Sequence, residues 1–182
     1  MTPVRYVVLA AAVVALVGAG AFFPGLFGPA IPAGSGSSTT TGTVSGSFYY
    51  SPASPVRIVS VTAAKSQGAD GTLVSFEVAF KNVGSSDVYA IRGCGSSLTA
   101  SVGSGSGVLR TTTGGPICLC AEAPVAVPPG GNSSATTPGC WTAYKFLLVG
   151  GGSVQVDLSL HWGPAQSTLQ DVTNVTATFV FA

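Results

Sequence analysis

Strict alternation of apolar with polar or small residues in two stretches is the feature that most constrains the fold of this chain. Val74, Phe76, Val78 and Phe80 occupy every second position of the first stretch, and the segment from Val154 to Trp162 shows the same period. Successive side chains of a strand point to opposite faces, so each stretch predicts an antiparallel strand with one buried and one solvated face. Strands of this kind need a second layer that covers their apolar side.

Shorter apolar segments separated by turn residues extend this pattern over the remainder of the chain. The 25 glycines and 12 prolines divide the sequence into short pieces, and we find no credible helix after residue 30. The sequence therefore predicts an all-β, antiparallel β-sandwich of seven to nine strands. The other predicted strands are Val56 to Ala63, Val88 to Arg92, Leu98 to Val102, Val108 to Thr112, Ile117 to Val127, Trp141 to Val149 and Val172 to Ala182, with a loop from Gly103 to Gly107.

The N-terminus is predicted as a hydrophobic helix that directs export. Residues 1–23 contain Arg5 followed by an 18-residue apolar run, Tyr6 to Phe23, which is typical of a signal peptide or of an uncleaved membrane anchor. Ala19-Gly20-Ala21 offers a cleavage site for the first alternative. Residues 24–47, rich in Gly, Ser, Thr and Pro, are predicted as a flexible linker, and residues 48–182 as the folded domain.

Composition and charge exclude some functions and weaken others. The chain carries seven basic and six acidic residues, so it lacks the positive field that would concentrate nucleic acid. The sequence contains no pattern of a nucleotide-binding loop, a zinc protease or a serine hydrolase. We therefore expect a non-catalytic protein, without a cofactor or bound metal, that is secreted or held at the cell surface.

Four cysteines lie between Cys94 and Cys140, and in an exported protein they predict two disulfides. Cys118 and Cys120 are poor partners for each other, because a bridge between residues i and i+2 distorts the backbone. Pairing Cys94 with Cys118 and Cys120 with Cys140 closes the shortest loops. The alternative that pairs Cys94 with Cys120 and Cys118 with Cys140 stays open. Four-thiolate zinc binding is disfavoured, since the cysteines lack the usual spacing.

The remaining candidate residues have structural interpretations. His161 falls on the polar face of its strand with no nucleophile or carboxylate motif around it, so a solvated histidine is expected. Trp141 and Trp162 could stack on sugars, although the phase of Trp162 favours a role in the core. Asn132-Ser133-Ser134 and Asn174-Val175-Thr176 have the form of N-glycosylation acceptors.

The segment VRIVSVTAA…GTLVSFEVAFKNVGSSDVYAI, from Val56 to Ile91, resembles the opening of the immunoglobulin-like CARDB modules of prokaryotic, especially archaeal, surfaces. Strands of those modules end in an N-x-G turn, here Asn82-Val83-Gly84. The segments GCGSSL and CLCAEAP…PGCW are similar to small exported archaeal β-proteins, including subunits of thread-like filaments. In those filaments an N-terminal strand completes the sandwich of the next subunit.

The resemblance implies an immunoglobulin-like sandwich in a structural or adhesive protein that self-associates through an N-terminal or edge strand. Thr43 to Tyr50 is the segment that would do so. The same segment could instead form an edge strand of its own domain. A secreted or membrane-anchored module that binds carbohydrate is the second functional interpretation.

Overall fold

The computed structural model describes residues 42–51, 55–92, 97–113, 122–139 and 144–182, all within one compact unit, residues 39–182. These residues form twelve strands and no helix. The strands are β1 (Gly42–Ser45), β2 (Ser47–Tyr50), β3 (Val56–Gly68), β4 (Gly71–Asn82), β5 (Val88–Ala90), β6 (Leu98–Gly105), β7 (Val108–Thr113), β8 (Val125–Val127), β9 (Asn132–Thr137), β10 (Tyr144–Gly150), β11 (Gly152–Trp162) and β12 (Asp171–Phe181).

The prediction of an all-β, antiparallel fold is confirmed, but the described strands outnumber the seven to nine expected. Every strand pair among them is antiparallel. The excess consists of β1 and β2, with four residues each, and of β9, a six-residue segment of Asn, Ser, Ala and Thr. Segments this short carry too little alternation to be recognised in a sequence, because their pairing partners define them.

The strands form two main sheets. Sheet I has the order β1-β3-β4-β10-β7, with β9 also paired to β4, and sheet II has the order β2-β12-β11-β6. A small third sheet joins β5 to β8. The chain enters at one lateral side, where β1 is the edge of sheet I and β2 the edge of sheet II. The consecutive strands β6 and β7 provide the opposite edges, β6 in sheet II and β7 in sheet I.

The inner faces of sheets I and II meet in one hydrophobic core. The alternating residues that define β4 and β11 in the sequence are the buried ones, as predicted. Phe76 of sheet I lies at the centre, with its ring centroid 5.2 Å from that of Phe146 and 5.3 Å from that of Phe179 in sheet II. Offset and edge-on ring contacts of this kind add to the free energy gained from burial.

The N-x-G turn after β4 is built around the buried side chain of Asn82. Its Nδ2 donates hydrogen bonds of 2.8 Å to the carbonyl oxygens of Ser86 and Val127, while its Oδ1 accepts one of 2.9 Å from the Gly84 amide. A Cβ atom at Gly84 would lie 2.5 Å from Cβ of Pro55, so only glycine fits this close approach. Asn82 therefore connects β4, the following loop and β8.

The glycine-rich segment predicted as a loop is mostly strand. β6 continues to Gly105, where a Cβ atom would lie 2.1 Å from the backbone oxygen of Ser153 in β11. Glycine within a strand often marks such a close backbone approach. The composition suggested a loop, whereas the glycines allow the end of β6 to lie close to the backbone of β11.

Residues 42–47, within the expected linker, also differ from the prediction. They comprise β1, Gly46 and the first residue of β2. β1 pairs with β3 from Gly42↔Lys65 to Ser45↔Thr62, and Val44 packs against the core. Backbone pairing and a single apolar contact order this segment despite its Ser/Thr/Gly composition.

Several predicted features lie outside the described residues: the helix and signal of residues 1–23, the start of the linker, all four cysteines and Trp141. Within the part of the chain that the structure describes, no helix is long and apolar enough to span a bilayer.

Candidate functional site

The N-terminal strand pair, defined here as β1, Gly46 and β2, is the candidate functional site. Its two strands pair with different sheets: β1 with β3 of sheet I, and β2 with β12 of sheet II through Ser47↔Thr178 to Tyr50↔Val175. The chain changes sheets at Gly46, whose amide donates a 3.0 Å hydrogen bond to the Val61 carbonyl. One ten-residue segment, 42–51, therefore covers one lateral edge of both main sheets.

Glycine is required where the N-terminal strand pair changes sheets. A Cβ atom at Gly46 would lie 2.7 Å from Cε1 of Phe179, a fully buried core residue. Gly42 has no such neighbour, because a Cβ there would be 3.9 Å from Cε of Lys65. The segment thus rests directly on the core at Gly46 and only loosely at its start.

The side chains of the N-terminal strand pair alternate between core and solvent. Val44, Phe48 and Tyr50 are partly buried against the core, and the rings of Phe48 and Tyr50 stack at 6.3 Å. Tyr49 points the other way, and 73% of its surface is exposed. Half-burial means that this segment contributes less to stability than the central strands, since the hydrophobic free energy scales with the area removed from water.

The edge strands carry little protection against pairing with another chain. β1 (GTVS), β2 (SFYY) and β6 (LTASVGSG) contain no charged residue and no proline, and β7 has Arg110 alone. Soluble proteins usually protect such edges with charges, prolines or bulges, because an exposed edge is a template for another strand. The pairings of β6 and β7 each contain a bulge or similar irregularity, whereas those of β1 and β2 contain none, so the side of the N-terminal strand pair is the one better suited to strand addition.

A groove at one end of the domain is the second candidate site. It has a volume of about 480 Å³ and lies beside the N-x-G turn, with Asp87 as its charged residue. Its apolar wall includes one face of Trp162, which is otherwise buried and donates a 3.1 Å hydrogen bond from Nε1 to Oγ1 of Thr173. The lining residues are Pro55, Val83, Gly84, Ser85, Ser86, Asp87, Val88, Trp162 and Pro164.

The structure does not bring His161 together with catalytic partners among the described residues. His161 is half-buried on the outer face of sheet II, opposite Val172 of β12. The nearest acid along its own strand, Asp157, accepts a 2.8 Å hydrogen bond from Oγ1 of Thr176. No group of three or more His, Cys, Asp or Glu side chains within the described ranges is placed to hold a metal ion.

The aromatic residues considered for sugar binding fall in different places. The prediction that Trp162 fills the core is confirmed, since it is 7% exposed. Trp141 and the disulfide candidates Cys94, Cys118, Cys120 and Cys140 lie outside the described residues, so both cysteine pairings stay predictions. Among the large exposed hydrophobic residues described, Tyr49 alone is aromatic.

Sequence reasoning identified the segment Thr43 to Tyr50 but missed how it is divided between two sheets. The signal was the alternation in Ser47-Phe48-Tyr49-Tyr50, where Phe48 and Tyr50 share one phase and Tyr49 has the other. The role of Gly46 had no signal in the sequence, because it depends on the position of Phe179, more than a hundred residues later.

No known protein family, curated protein or solved structure matches this chain.

Proposed function

We propose that this chain is an exported, non-catalytic structural or adhesive protein of the cell surface, a subunit that self-associates through its N-terminal strand pair into a filament or envelope layer. Its domain would be an immunoglobulin-like sandwich of the CARDB kind. The observation that carries the proposal is that residues 42–51 cover one edge of both sheets without a charged residue.

Strand exchange between subunits follows from this geometry. If the N-terminal strand pair of one subunit leaves its own sheets, β3 and β12 become unpaired edges that accept the same segment from a neighbour. The contact made is identical to the one lost, so the exchange costs little in contact energy. Donor and acceptor surfaces differ, and such head-to-tail contacts form open filaments unless they close into a ring.

The charge distribution agrees with a structural role. No part of the strand pair repels a second copy at neutral pH, because neither β1 nor β2 is charged. Retention of residues 1–23 would anchor the first subunit in the membrane, and their cleavage would release every subunit for assembly.

Light scattering on three forms of the protein tests the proposal. The first form begins at residue 22, and the second, a control, begins at residue 42. Both should form oligomers that resist heating. Deletion of residues 22–50 should leave a folded monomer. The proposal is rejected if the form that begins at residue 22 stays monomeric at high concentration and the variant without residues 22–50 unfolds. The N-terminal strand pair then belongs to its own domain alone.

Carbohydrate binding is a second candidate function, favoured by Tyr49. The outer face of sheet II presents this exposed ring beside polar groups, with Thr176 directly opposite it in β12 and Asp157 opposite Thr176 in β11. Exposed aromatic rings on a polar, nearly uncharged surface suit the apolar face of a neutral sugar. Replacement of Tyr49 by Ala should abolish retention on neutral polysaccharide, and unchanged retention would reject this candidate.

A further inference from the structure

The two Asn-x-Ser/Thr triplets, of which the sequence favours Asn132 because of its Pro/Gly-rich turn, have different hydrogen-bond environments in the folded domain. Asn132 is the exposed first residue of β9, directly after the turn at Pro128 to Gly131. Asn174 lies within β12, whose backbone is paired with β11 at this position. Both triplets are paired in a sheet, but the first lies on β9, which among the described strands pairs with β4 alone, and the second on β12, which has β11 on one side and β2 on the other.

The reactive groups of the Asn132 triplet are free. Within the described part of the chain, no side-chain hydrogen bond involves the Asn132 amide or the Ser134 hydroxyl. The middle residue, Ser133, accepts a 2.9 Å hydrogen bond from Nε of Arg92, which fixes the triplet without occupying the Asn132 amide or Ser134 hydroxyl.

The Asn174 triplet is hydrogen-bonded at both its amide oxygen and its threonine hydroxyl. Oδ1 of Asn174 accepts a 2.8 Å hydrogen bond from Oγ of Ser159, and Oγ1 of Thr176 donates one of 2.8 Å to Oδ1 of Asp157. Val175 between them is a core residue with 1% exposure. Because β12 is flanked by β11 and, from Val175 onward, by β2, this triplet is held inside the sheet.

From this contrast we infer that Asn132 is an N-glycosylation site and that Asn174 is left unmodified. The reaction joins the side-chain amide nitrogen of Asn132 to the anomeric carbon of a sugar carried on a lipid phosphate. The carbon–oxygen bond to the phosphate breaks, the lipid phosphate leaves with the bonding electrons, and the nitrogen loses one proton. Modification requires the hydroxyl of the third residue, here Ser134, for recognition.

The surroundings of Asn132 can accommodate a sugar. A shallow concavity of about 390 Å³ lies next to it, lined by Glu77, Ala79, Arg92, Asn132, Ser133 and Ser134. Carboxylate, guanidinium and hydroxyl groups at its surface match the hydroxyl groups of a sugar. The first sugar residues can therefore lie against sheet I rather than extend freely into solvent.

The two positions also differ in their relation to the proposed assembly edge. In sheet I, β3 and β4 separate β9 from β1, so a glycan on Asn132 leaves that edge open. Asn174 precedes Val175, which pairs with Tyr50 of β2, so a glycan there would crowd the exchanged strand. This step rests on the proposed function, as does the export that exposes the chain to a glycosyltransferase.

Intact-mass and glycopeptide analysis of the full chain purified from its native cells tests the inference. Asn132 should carry a glycan and Asn174 none. Asn132→Gln and Ser134→Ala should each remove the entire glycan mass, while Asn174→Gln should leave it unchanged. Ser133→Ala is the matched control, because it keeps an Asn-x-Ser triplet and loses only the Arg92 contact.

Any glycan on Asn174, or an unmodified Asn132 in the native protein, would overturn the inference. Failure of the inference and failure of the proposed assembly are distinguishable, because the mass measurement makes no use of the oligomeric state. An unglycosylated protein that still forms filaments would reject the glycan alone, and a glycosylated monomer would reject the assembly alone.

Discussion

The central strands and the N-terminal strand pair are built from similar alternating sequences, yet they are held in the domain very differently. β4 and β11 each pair on both sides and place fully buried residues such as Phe76 and Leu158 in the core. β1 and β2 each pair on one side only, and their apolar residues are half-buried. The central strands therefore contribute most of the buried core, whereas the N-terminal strand pair is held by one paired edge per strand, as the proposed exchange requires.

Phe→Ala substitutions in the two regions should show this difference most strongly. Phe76→Ala should destabilise the domain by about 3–5 kcal/mol, because it leaves a cavity between Phe146 and Phe179. Phe48→Ala, which removes the same ring from β2, should cost about 1 kcal/mol, since that ring is already partly solvated. Equilibrium denaturation measures both. Equal losses would show that the N-terminal strand pair is as integral as the centre.

Asn82→Ala should give the next largest effect. It removes the donor to the Ser86 and Val127 carbonyls and the acceptor for Gly84, leaving buried polar groups without partners. Such a loss costs about 2–3 kcal/mol. Gln67→Ala is the control, because it removes an exposed amide and should change stability by less than about 0.5 kcal/mol. A small effect of Asn82→Ala would mean that the N-x-G turn does not organise this corner.

Gly46→Ala should have a smaller and more local effect. The added methyl group would press on the Phe179 ring, at a cost of about 1–3 kcal/mol if the core must adjust. Gly42→Ala adds the same group where the nearest atom is 3.9 Å away, so it should be tolerated. Amide hydrogen exchange should accelerate in β1 and β2 of Gly46→Ala while β4 and β11 stay protected. Acceleration throughout the domain would contradict separate behaviour of the two regions.

The sequence was sufficient for the parts of the fold in which local pattern and tertiary environment agree. The alternation in β4, β11 and β12 predicted which residues are buried, and Asn82-Val83-Gly84 predicted a turn. Gly103 and Gly105 were misinterpreted as loop because their packing against β11 is a long-range property. The order of the strands and the edge position of β1 and β2 depend on which strands become neighbours, as do the hydrogen bonds of the Asn174 triplet. Pairing across long separations leaves no local pattern that sequence reasoning can detect.

Cysteine pairs placed at known register positions test most directly whether the N-terminal strand pair is exchanged between subunits. Ser45 pairs with Thr62 across β1 and β3, and Ala64 pairs with Ser75 across β3 and β4. Paired residues of antiparallel strands have Cα atoms about 4.5–5.5 Å apart, which suits a disulfide. Ser45→Cys with Thr62→Cys therefore reports on exchange, and Ala64→Cys with Ser75→Cys is the control inside one domain. The parent protein, oxidised in the same way, shows which bands arise from the native cysteines.

After oxidation of assembled protein, non-reducing electrophoresis shows whether the new bridge joins one chain or two. Strand exchange should give a ladder of covalent multimers for Ser45→Cys with Thr62→Cys, while the control pair gives the same bands as the parent. Monomers alone from the Ser45 and Thr62 pair, in a sample that scatters light as a polymer, would show that the strand pair stays in its own domain and would contradict strand exchange.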